Sequence, residues 1–289
     1  MLRAVAGHDK LKQVLVLKGA YATEAITGTE RSTTDIDLTA RQDFCTFDQA
    51  GEESLKHLFF VAVEQHLEVH DRDWTLETTS ARKKPKGNRH PFGWDGFFVK
   101  VTLLYRRREQ QVVELDVSFG DFTSGTVHLE CCTTGLRLTE EQSTHVLEAY
   151  SPEQVIAEKL RAFLQQLPTH RKKIGARANP PRVRDIRDIA VLMDSTEDAL
   201  DWESLAASFR DKCAAKSVDC RSPADFAPEP DSKALYRELY NDDEELRSVP
   251  FERAWKRMIE VVDRLIDGFG PPGEFPPPER LPDLRRDHG

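Results

Sequence analysis

Apolar and polar positions alternate along much of the first half of the chain. Alternation with a period of two predicts a strand over 113–119, and an earlier apolar run predicts another over 97–105. The polar residues between them predict a turn, so the two strands would form an antiparallel pair. Apolar residues spaced three and four apart predict a long helix over 49–70. Shorter elements complete this half: strands at 13–18, 34–39, 74–80 and 126–132, a helix at 20–27, and a basic loop from 81 to 90.

The pattern changes to helical spacing at residues 150–152. Ser151 is a favourable N-cap and Pro152 a favourable first helical residue. Helical spacing then continues to about residue 268, with a basic loop at 168–181 and an acidic connection at 218–232. Six prolines after Gly270 predict a flexible or extended tail. We therefore expect an α+β domain over 1–149, a helical domain over 150–269 and a Pro-rich tail over 270–289.

Composition narrows the class of protein. The 289 residues are 39% hydrophobic and 31% charged, which is typical of a globular protein with a charged surface. No apolar run approaches the roughly 20 residues of a membrane helix, and no signal-peptide pattern opens the chain, so we expect a cytoplasmic protein without membrane contact. The five cysteines form no Cys-x-x-Cys pair, which favours reduced thiols over a zinc site or a disulfide framework.

Positive charge is clustered although the net charge is −9. Three basic blocks, at 82–90, 106–108 and 170–187, could together meet a phosphate backbone; taken singly, each reads equally as a solvated loop. The residues that we predict to contact RNA are Arg82, Lys83, Lys84, Lys86, Arg171, Lys172 and Lys173.

The strongest chemical signal is a glycine turn followed by an Asp-x-Asp strand. Gly19 ends the first predicted strand, and Asp35 and Asp37 lie at i and i+2 on the next, so both carboxylates share one face. Neighbouring carboxylates repel each other unless a cation or a proton sits between them, and hard oxygen ligands suit Mg²⁺. A glycine turn lets backbone N–H groups approach phosphates closely. The alternative is a solvated strand end.

A third carboxylate, Asp116, lies on the polar face of the strand at 113–119, together with Glu114 and Ser118. If this strand pairs with the Asp-x-Asp strand, Asp116 completes a metal site. The alternative is that Glu114 and Asp116 form the wet face of an edge strand.

Lys159 falls inside the apolar stripe of the first helix of the second half, where a surface lysine is not expected. It is either a cation facing a cleft, ready for a triphosphate, or a snorkelling side chain paired with Asp185 or Asp188. These two aspartates, three apart on the next helix, could orient Lys159 or form plain salt bridges with Arg184 and Arg187.

Five segments together resemble the AbiEii/AbiGii (MenT-like) nucleotidyltransferase toxins, and they occur in the family's order between residues 17 and 189. The family has the DNA-polymerase-β-type nucleotidyltransferase fold and acts in toxin–antitoxin pairs. Some members add nucleotides to the 3′ acceptor end of tRNA and stop translation. The five segments are 17–20, 31–38, 115–117, 157–162 and 184–189.

The resemblance assigns roles to single residues. It implies that Asp35 and Asp37 bind Mg²⁺, with Asp116 as the third carboxylate, and that Lys159 grips the nucleotide beside Asp185. It also implies a polymerase-β-type mixed sheet with a C-terminal helical domain. Nucleotide-binding roles would fall to Lys18, Gly19, Ser32 and Thr33. Many relatives have Gly-Gly or Gly-Ser at the turn, whereas Ala20 follows Gly19 here, which removes one possible hydroxyl ligand.

We therefore expect a toxin that uses two Mg²⁺ ions to transfer NMP from an NTP to an RNA 3′ end, with the tRNA acceptor stem as the favoured target and a cognate antitoxin as partner. Two alternatives stay open. The acceptor could be a protein or a small molecule, or the chain could be a non-catalytic module that binds RNA or protein.

Overall fold

The computed structural model describes most of the chain. The residues described are 1–29, 33, 35–41, 44–46, 48–84, 96–121, 125–132, 135–140, 145–166, 182–215, 218 and 230–267. Within these residues the architecture is a mixed sheet with helices packed around it, so the predicted α+β fold is confirmed.

The sheet has eight strands in the order β3-β4-β5-β2-β1-β8-β6-β7. They are β1 (Leu15–Lys18), β2 (Asp35–Ala40), β3 (Trp74–Lys84), β4 (Gly96–Tyr105), β5 (Glu109–Ser118), β6 (Thr126–Cys132), β7 (Gly135–Leu138) and β8 (Val146–Tyr150). β2 pairs with β5 and β1 with β8 in parallel, and the other neighbours are antiparallel.

Nine α-helices are described. They are α1 (Leu2–Gly7), α2 (Asp9–Val14), α3 (Gly19–Thr27), α4 (Gln49–His70), α5 (Pro152–Gln166), α6 (Val183–Thr196), α7 (Trp202–Ala215), α8 (Pro230–Asp242) and α9 (Phe251–Asp267). Short 3-10 turns occupy Glu197–Ala199 and Glu244–Ser248. None of the described helices is both long and apolar enough to cross a bilayer.

Local chemistry explains where the helices around the site begin and end. The backbone N–H of Gln154 donates to Ser151 Oγ at 3.4 Å, so Ser151 caps α5 as predicted. Asp48 caps α4 by accepting from the N–H of Gly51 at 3.0 Å. The helix α3 is terminated by Gly28, the residue after its end, whose φ of +65° is the left-handed conformation that glycine adopts most easily.

The hydrophobic core packs against the face of the central strands opposite the acidic side chains. Ile36 and Leu38 of β2 and Leu115 and Val117 of β5 are all buried. The same cluster of buried residues continues through the N-terminal helices and into α5, α6 and α9. The division into two domains and a tail stays a prediction.

Three predicted boundaries differ from the observed ones by two residues or more. Residues 13 and 14 end the helix α2 and do not belong to β1. The strand β5 begins at Glu109, which leaves a tighter turn than expected. The strand β3 continues to Lys84, so Arg82, Lys83 and Lys84 lie on a strand and not in a loop. Ladder hydrogen bonds to β4 hold this basic segment extended, which local composition does not reveal. The strands β7 and β8 were not predicted.

The central position of β1 generates a stability prediction. Leu17 is fully buried, whereas Leu138 on the edge strand β7 is 49% exposed. Leu17→Ala should lower the free energy of unfolding by about 2–5 kcal/mol, because a cavity forms in a packed core. Leu138→Ala is the matched control and should change it by no more than about 0.5 kcal/mol. Chemical denaturation measures both, and similar losses would contradict the strand order.

Candidate active site

A single row of residues crosses five strands and carries the predicted chemistry. Lys18 lies opposite Asp37, and Asp37 lies opposite Asp116 on the parallel neighbour β5. The row continues from Asp116 to Phe98 on β4 and from Phe98 to Arg82 on β3. Side chains directly opposite one another in a sheet point to the same face. The strand order therefore places two carboxylates side by side, flanked by cations at both ends.

The paired carboxylates of Asp37 and Asp116 are electrostatically strained. Burial raises the pKa of Asp37; the nearby Lys18 ammonium opposes that shift, and the negative charge of Asp116 adds to it. Asp116 is more exposed, and its carboxylate forms an ion pair with Lys84 from the end of β3. Two adjacent carboxylates that already attract an ammonium group form the part of this cleft best suited to a divalent cation.

Gly19 makes room for the Asp37 carboxylate. Its φ of +69° is in the left-handed region, and a Cβ at this position would lie 2.9 Å from both Cβ and Cγ of Asp37. Gly19 is also the first residue of α3, so the positive end of the helix dipole lies beside the acid. The glycine is thus required both by backbone conformation and by space.

Lys18 is held by a small polar network beneath the acids. Its ammonium donates to Ser118 Oγ at 2.7 Å and to Asp121 Oδ2 at 3.0 Å, and Ser118 Oγ donates to the same Asp121 oxygen at 3.0 Å. Burial would lower the pKa of Lys18, but the surrounding acidic groups, of which Asp121 has the largest effect, together outweigh burial and raise it. The ammonium therefore stays charged next to Asp37.

Lys159 lies on the opposite wall of the cleft, on α5. Its ammonium is 2.6 Å from Asp188 Oδ2 and 3.4 Å from Asp185 Oδ1, both on α6. Arg182 donates to the other oxygen of Asp185 at 2.6 Å, so Asp185 joins the two cations. The side chain lines the cleft and is paired with both Asp185 and Asp188, the partners named for the second interpretation, although it is buried and does not snorkel. Its contact with a triphosphate stays a prediction. Arg187 pairs with Asp188 at 3.4 Å, as the salt-bridge alternative expected. Arg184 instead contacts Asp243.

A second charged layer lies behind the cleft. Arg161 forms an ion pair with Glu158. Burial would raise the pKa of that carboxyl, but Arg161, Lys212 and Lys18 together hold it low. Lys212 of α7 lies 3.9 Å from Glu158, and its ammonium lies 4.0 Å from the centre of the Tyr150 ring. Burial lowers the pKa of Lys212 to about 8, although Glu158 opposes that shift. This layer connects α5 and α7 with the end of β8.

These walls enclose a cleft of about 220 Å³ between the sheet and the helices α5 and α6. It is lined by Lys18, Gly19, Asp37, Asp116, Ser118, Tyr150, Val155, Glu158, Lys159, Ala162, Arg182 and Asp185. Both walls carry charges of both signs. Adjacent carboxylates on the sheet, with Lys159 and Arg182 across the cleft, are groups suited to a metal-bound polyphosphate.

A sequence model of the family described as "Nucleotidyl transferase AbiEii toxin, Type IV TA system" matches residues 1–267. The chain belongs to this family. The AbiEii family consists of nucleotidyltransferase toxins of type IV toxin–antitoxin systems, so the predicted family is confirmed. A search of curated proteins found no match.

The structure of this AbiEii protein brings most of the predicted site residues together. Those that line the cleft are Lys18, Gly19, Asp37, Asp116, Lys159 and Asp185. Asp35 does not line it: this residue begins β2, is exposed and lies opposite Glu114. Thr33 donates to the backbone oxygen of Asp35 at 3.3 Å and is likewise outside the lining.

The predicted RNA-contact residues divide into two groups. Lys84 reaches Asp116 at the rim of the cleft, and Arg82 stacks over Phe98 with its guanidinium carbon 4.6 Å from the ring centre. The backbone N–H of Lys83 donates to Glu52 at 2.6 Å. Ser32, Lys86, Arg171, Lys172 and Lys173 lie outside the described residues.

Several cleft residues of the AbiEii protein were missed from the sequence. Glu158 precedes Lys159 in the chain but is buried against Arg161, and Arg182 sat within a basic block read as a possible RNA contact. Asp121, which holds Lys18, gives no periodic signal because it follows the end of β5. The sequence clue for Asp121 was a buried lysine, Lys18, that required a partner.

Gly19 generates the first prediction for this site. Gly19→Ala should lower the free energy of unfolding by roughly 1–3 kcal/mol more than Gly28→Ala, because an added methyl group overlaps Asp37. Gly28 is the matched control, since it has a similar φ of +65° and no atom within 4 Å of an added Cβ. Urea denaturation of both variants measures the difference. Equal losses would show that the Asp37 carboxylate does not occupy this space.

Asp37 generates a prediction about pH. Its raised pKa means that the folded, metal-free protein binds a proton more readily than the unfolded chain. The free energy of unfolding therefore falls as pH rises from the pKa of Asp37 in the unfolded chain to its higher pKa in the folded protein. In a metal chelator near neutral pH, Asp37→Asn should therefore raise Tm. The gain should shrink as pH falls through the raised pKa and vanish below about pH 3, where the carboxyl is protonated in both the folded and the unfolded state.

Asp35→Asn is the control for this measurement, because Asp35 is an exposed carboxylate on the same strand. Its Tm should change little at either pH. A lower Tm for Asp37→Asn near neutral pH would contradict the electrostatic strain that we assign to the pair.

Proposed function

We propose that this AbiEii protein transfers NMP from an NTP to the 3′-hydroxyl of an RNA, with the acceptor end of tRNA as target. The observation that carries the proposal is the in-register pair Asp37 and Asp116 in a cleft whose other wall carries Lys159 and Arg182. Carboxylates for a metal and cations for phosphates are the two requirements of nucleotidyl transfer.

Asp37 and Asp116 fit Mg²⁺ and would hold it, and Asp35 lies one position further along the same face of β2. The fit rests on the donor set: two adjacent carboxylates, one with a raised pKa, and an ammonium group already drawn to the other. When bound, two Mg²⁺ ions would activate the attacking hydroxyl and neutralise charge on the departing pyrophosphate. Lys84 would have to leave Asp116 as metal and substrate enter.

The triphosphate would lie between the sheet and α5–α6. Asp185 binds both Lys159 and Arg182 and fixes their positions. Phosphate binding would therefore require little further ordering of these two side chains. The N-terminus of α3 at Gly19 offers backbone N–H groups to the same anion. Lys18, which is held by an ion pair with Asp121, would place its positive charge beside Asp37, deeper in the cleft.

The acceptor would approach along the row from β3. Asp116 is the candidate to accept the proton of the 3′-hydroxyl, which attacks the α-phosphorus while the bond to pyrophosphate breaks. Phe98 and Arg82 extend from Asp116 across the sheet as an aromatic ring stacked with a guanidinium. Such surfaces bind the unstacked bases of single-stranded RNA ends, which favours RNA over a small-molecule acceptor.

A toxin with this activity would block translation by altering the end of tRNA that carries the amino acid. Membership of a type IV toxin–antitoxin family implies a cognate antitoxin that counters this effect. The basic blocks in 85–90 and 170–181 would add contacts to the acceptor stem through phosphate and ribose.

The test incubates purified protein with each labelled NTP, Mg²⁺ and total tRNA. We expect label on tRNA with at least one nucleotide, and no label on tRNA whose 3′-terminal diol has been destroyed by periodate. Asp116→Asn should lower the rate by roughly 10²–10⁴-fold, because it removes a metal ligand and a proton acceptor together. Glu114→Gln, two residues away on the same face of β5, is the matched control and should retain activity within a few-fold.

The outcomes separate the proposal from its alternatives. Label on protein, or on a small molecule when RNA is omitted, would identify a different acceptor for the same chemistry. No transfer with any of the four nucleotides, or equal rates for Asp116→Asn and Glu114→Gln, would contradict nucleotidyl transfer by this cleft.

A further inference from the structure

Three histidines that do not line the catalytic cleft lie close together. His66 and His70 lie at i and i+4 near the end of α4, and His145 immediately precedes β8. One ring nitrogen of each lies within 4.8 Å of the others. The ring centres are 4.8 Å apart for His66 and His70, 5.2 Å for His70 and His145, and 6.0 Å for His66 and His145.

The backbone around this cluster is well supported. The carbonyl of His145 accepts the backbone N–H of Cys131 at 2.9 Å, which ties this residue to β6. Helical spacing fixes His66 and His70 on one face of α4, since residues four apart are neighbours on a helix surface. Gly7 at the end of α1 packs against His145, because a Cβ there would lie 3.7 Å from its ring. Rigid elements thus position all three rings.

The chemistry of the three side chains suits a metal. A neutral imidazole presents the lone pair that a transition metal requires. One ring nitrogen of each histidine lies within 4.8 Å of the others, so three such donor atoms can turn toward one ion.

We propose that His66, His70 and His145 form a binding site for a borderline transition metal such as Zn²⁺, distinct from the carboxylate cleft. Imidazole is the ligand that such ions share, and three histidines leave a fourth position for water or a further ligand. Zn–N bonds of about 2.0–2.1 Å require the nitrogens to come together to roughly 3.3 Å. Rotations of all three side chains would be needed for that contraction.

The metal would clasp the end of α4 to the segment that leads into β8. The strand β8 ends at Tyr150, which lines the catalytic cleft. A metal bound at the start of β8 would therefore stabilise the strand that forms one wall of that cleft. Two positive groups, Arg3 and the α-amino group of Met1, act on His66. Their repulsion of a dication leads us to expect micromolar rather than nanomolar affinity.

The test uses untagged, chelator-treated full-length protein titrated with Co²⁺ and, in parallel, dialysed against Zn²⁺. We expect one equivalent of Co²⁺ to produce the visible absorption of a four-coordinate site, and Zn²⁺ to displace it. His70→Gln should weaken binding at least tenfold. His57→Gln is the matched control, because His57 is exposed on the same helix and outside the cluster.

A second arm separates this site from the cleft. The same titration in the double variant Asp37→Asn, Asp116→Asn should give unchanged Co²⁺ absorption, whereas loss of the signal would assign it to the carboxylates and overturn the proposal. Zn²⁺ at about a hundred times the wild-type Kd should raise Tm by roughly 5 °C in the double variant and in His57→Gln, and by no more than about half of that in His70→Gln. No saturable Co²⁺ binding by the wild-type protein would also overturn it.

Discussion

The rest of this site depends on the repulsion between two carboxylates that lie side by side on parallel strands. Asp37 and Asp116 repel each other, and burial of Asp37 adds to that cost. The surrounding structure accommodates the pair in two ways: Gly19 leaves space for one carboxylate, and Lys18 and Lys84 place positive charge beside the two acids. Repulsion between the two carboxylates destabilises the site when no cation is bound. A bound cation relieves that repulsion, and the relief adds to the affinity for the cation.

The cations of the cleft are themselves held by buried acids. Asp121 fixes Lys18, while Asp185 and Asp188 fix Lys159. Such pairs contribute little net stability, because desolvation offsets much of the attraction. Their value lies in orientation, because the carboxylates hold the two ammonium groups in fixed positions. The cations of the cleft are thus in place before a ligand binds.

The sequence predicted the parts of this site that leave a periodic or spacing signal. Alternation located Asp116 on a strand, and the Asp-x-Asp spacing located Asp37, because one-dimensional patterns determine the face of an element. The resemblance added the order of the segments and hence the family. Asp121 and Tyr150 could not be found in this way, since their roles depend on which strands become neighbours. The extension of β3 to Lys84 was missed for the same reason: pairing with β4, and not local composition, keeps that basic segment extended.

The most direct measurement of the central claim is a crystal structure of the protein soaked with Mn²⁺ and a non-hydrolysable NTP, recorded at an energy where manganese scatters anomalously. The account predicts anomalous density within bonding distance, about 2–2.3 Å, of carboxylate oxygens of both Asp37 and Asp116, with Lys84 displaced and phosphates on the side of Lys159 and Arg182. Density bound elsewhere, or Lys84 still paired with Asp116 while nucleotide occupies the cleft, would contradict it.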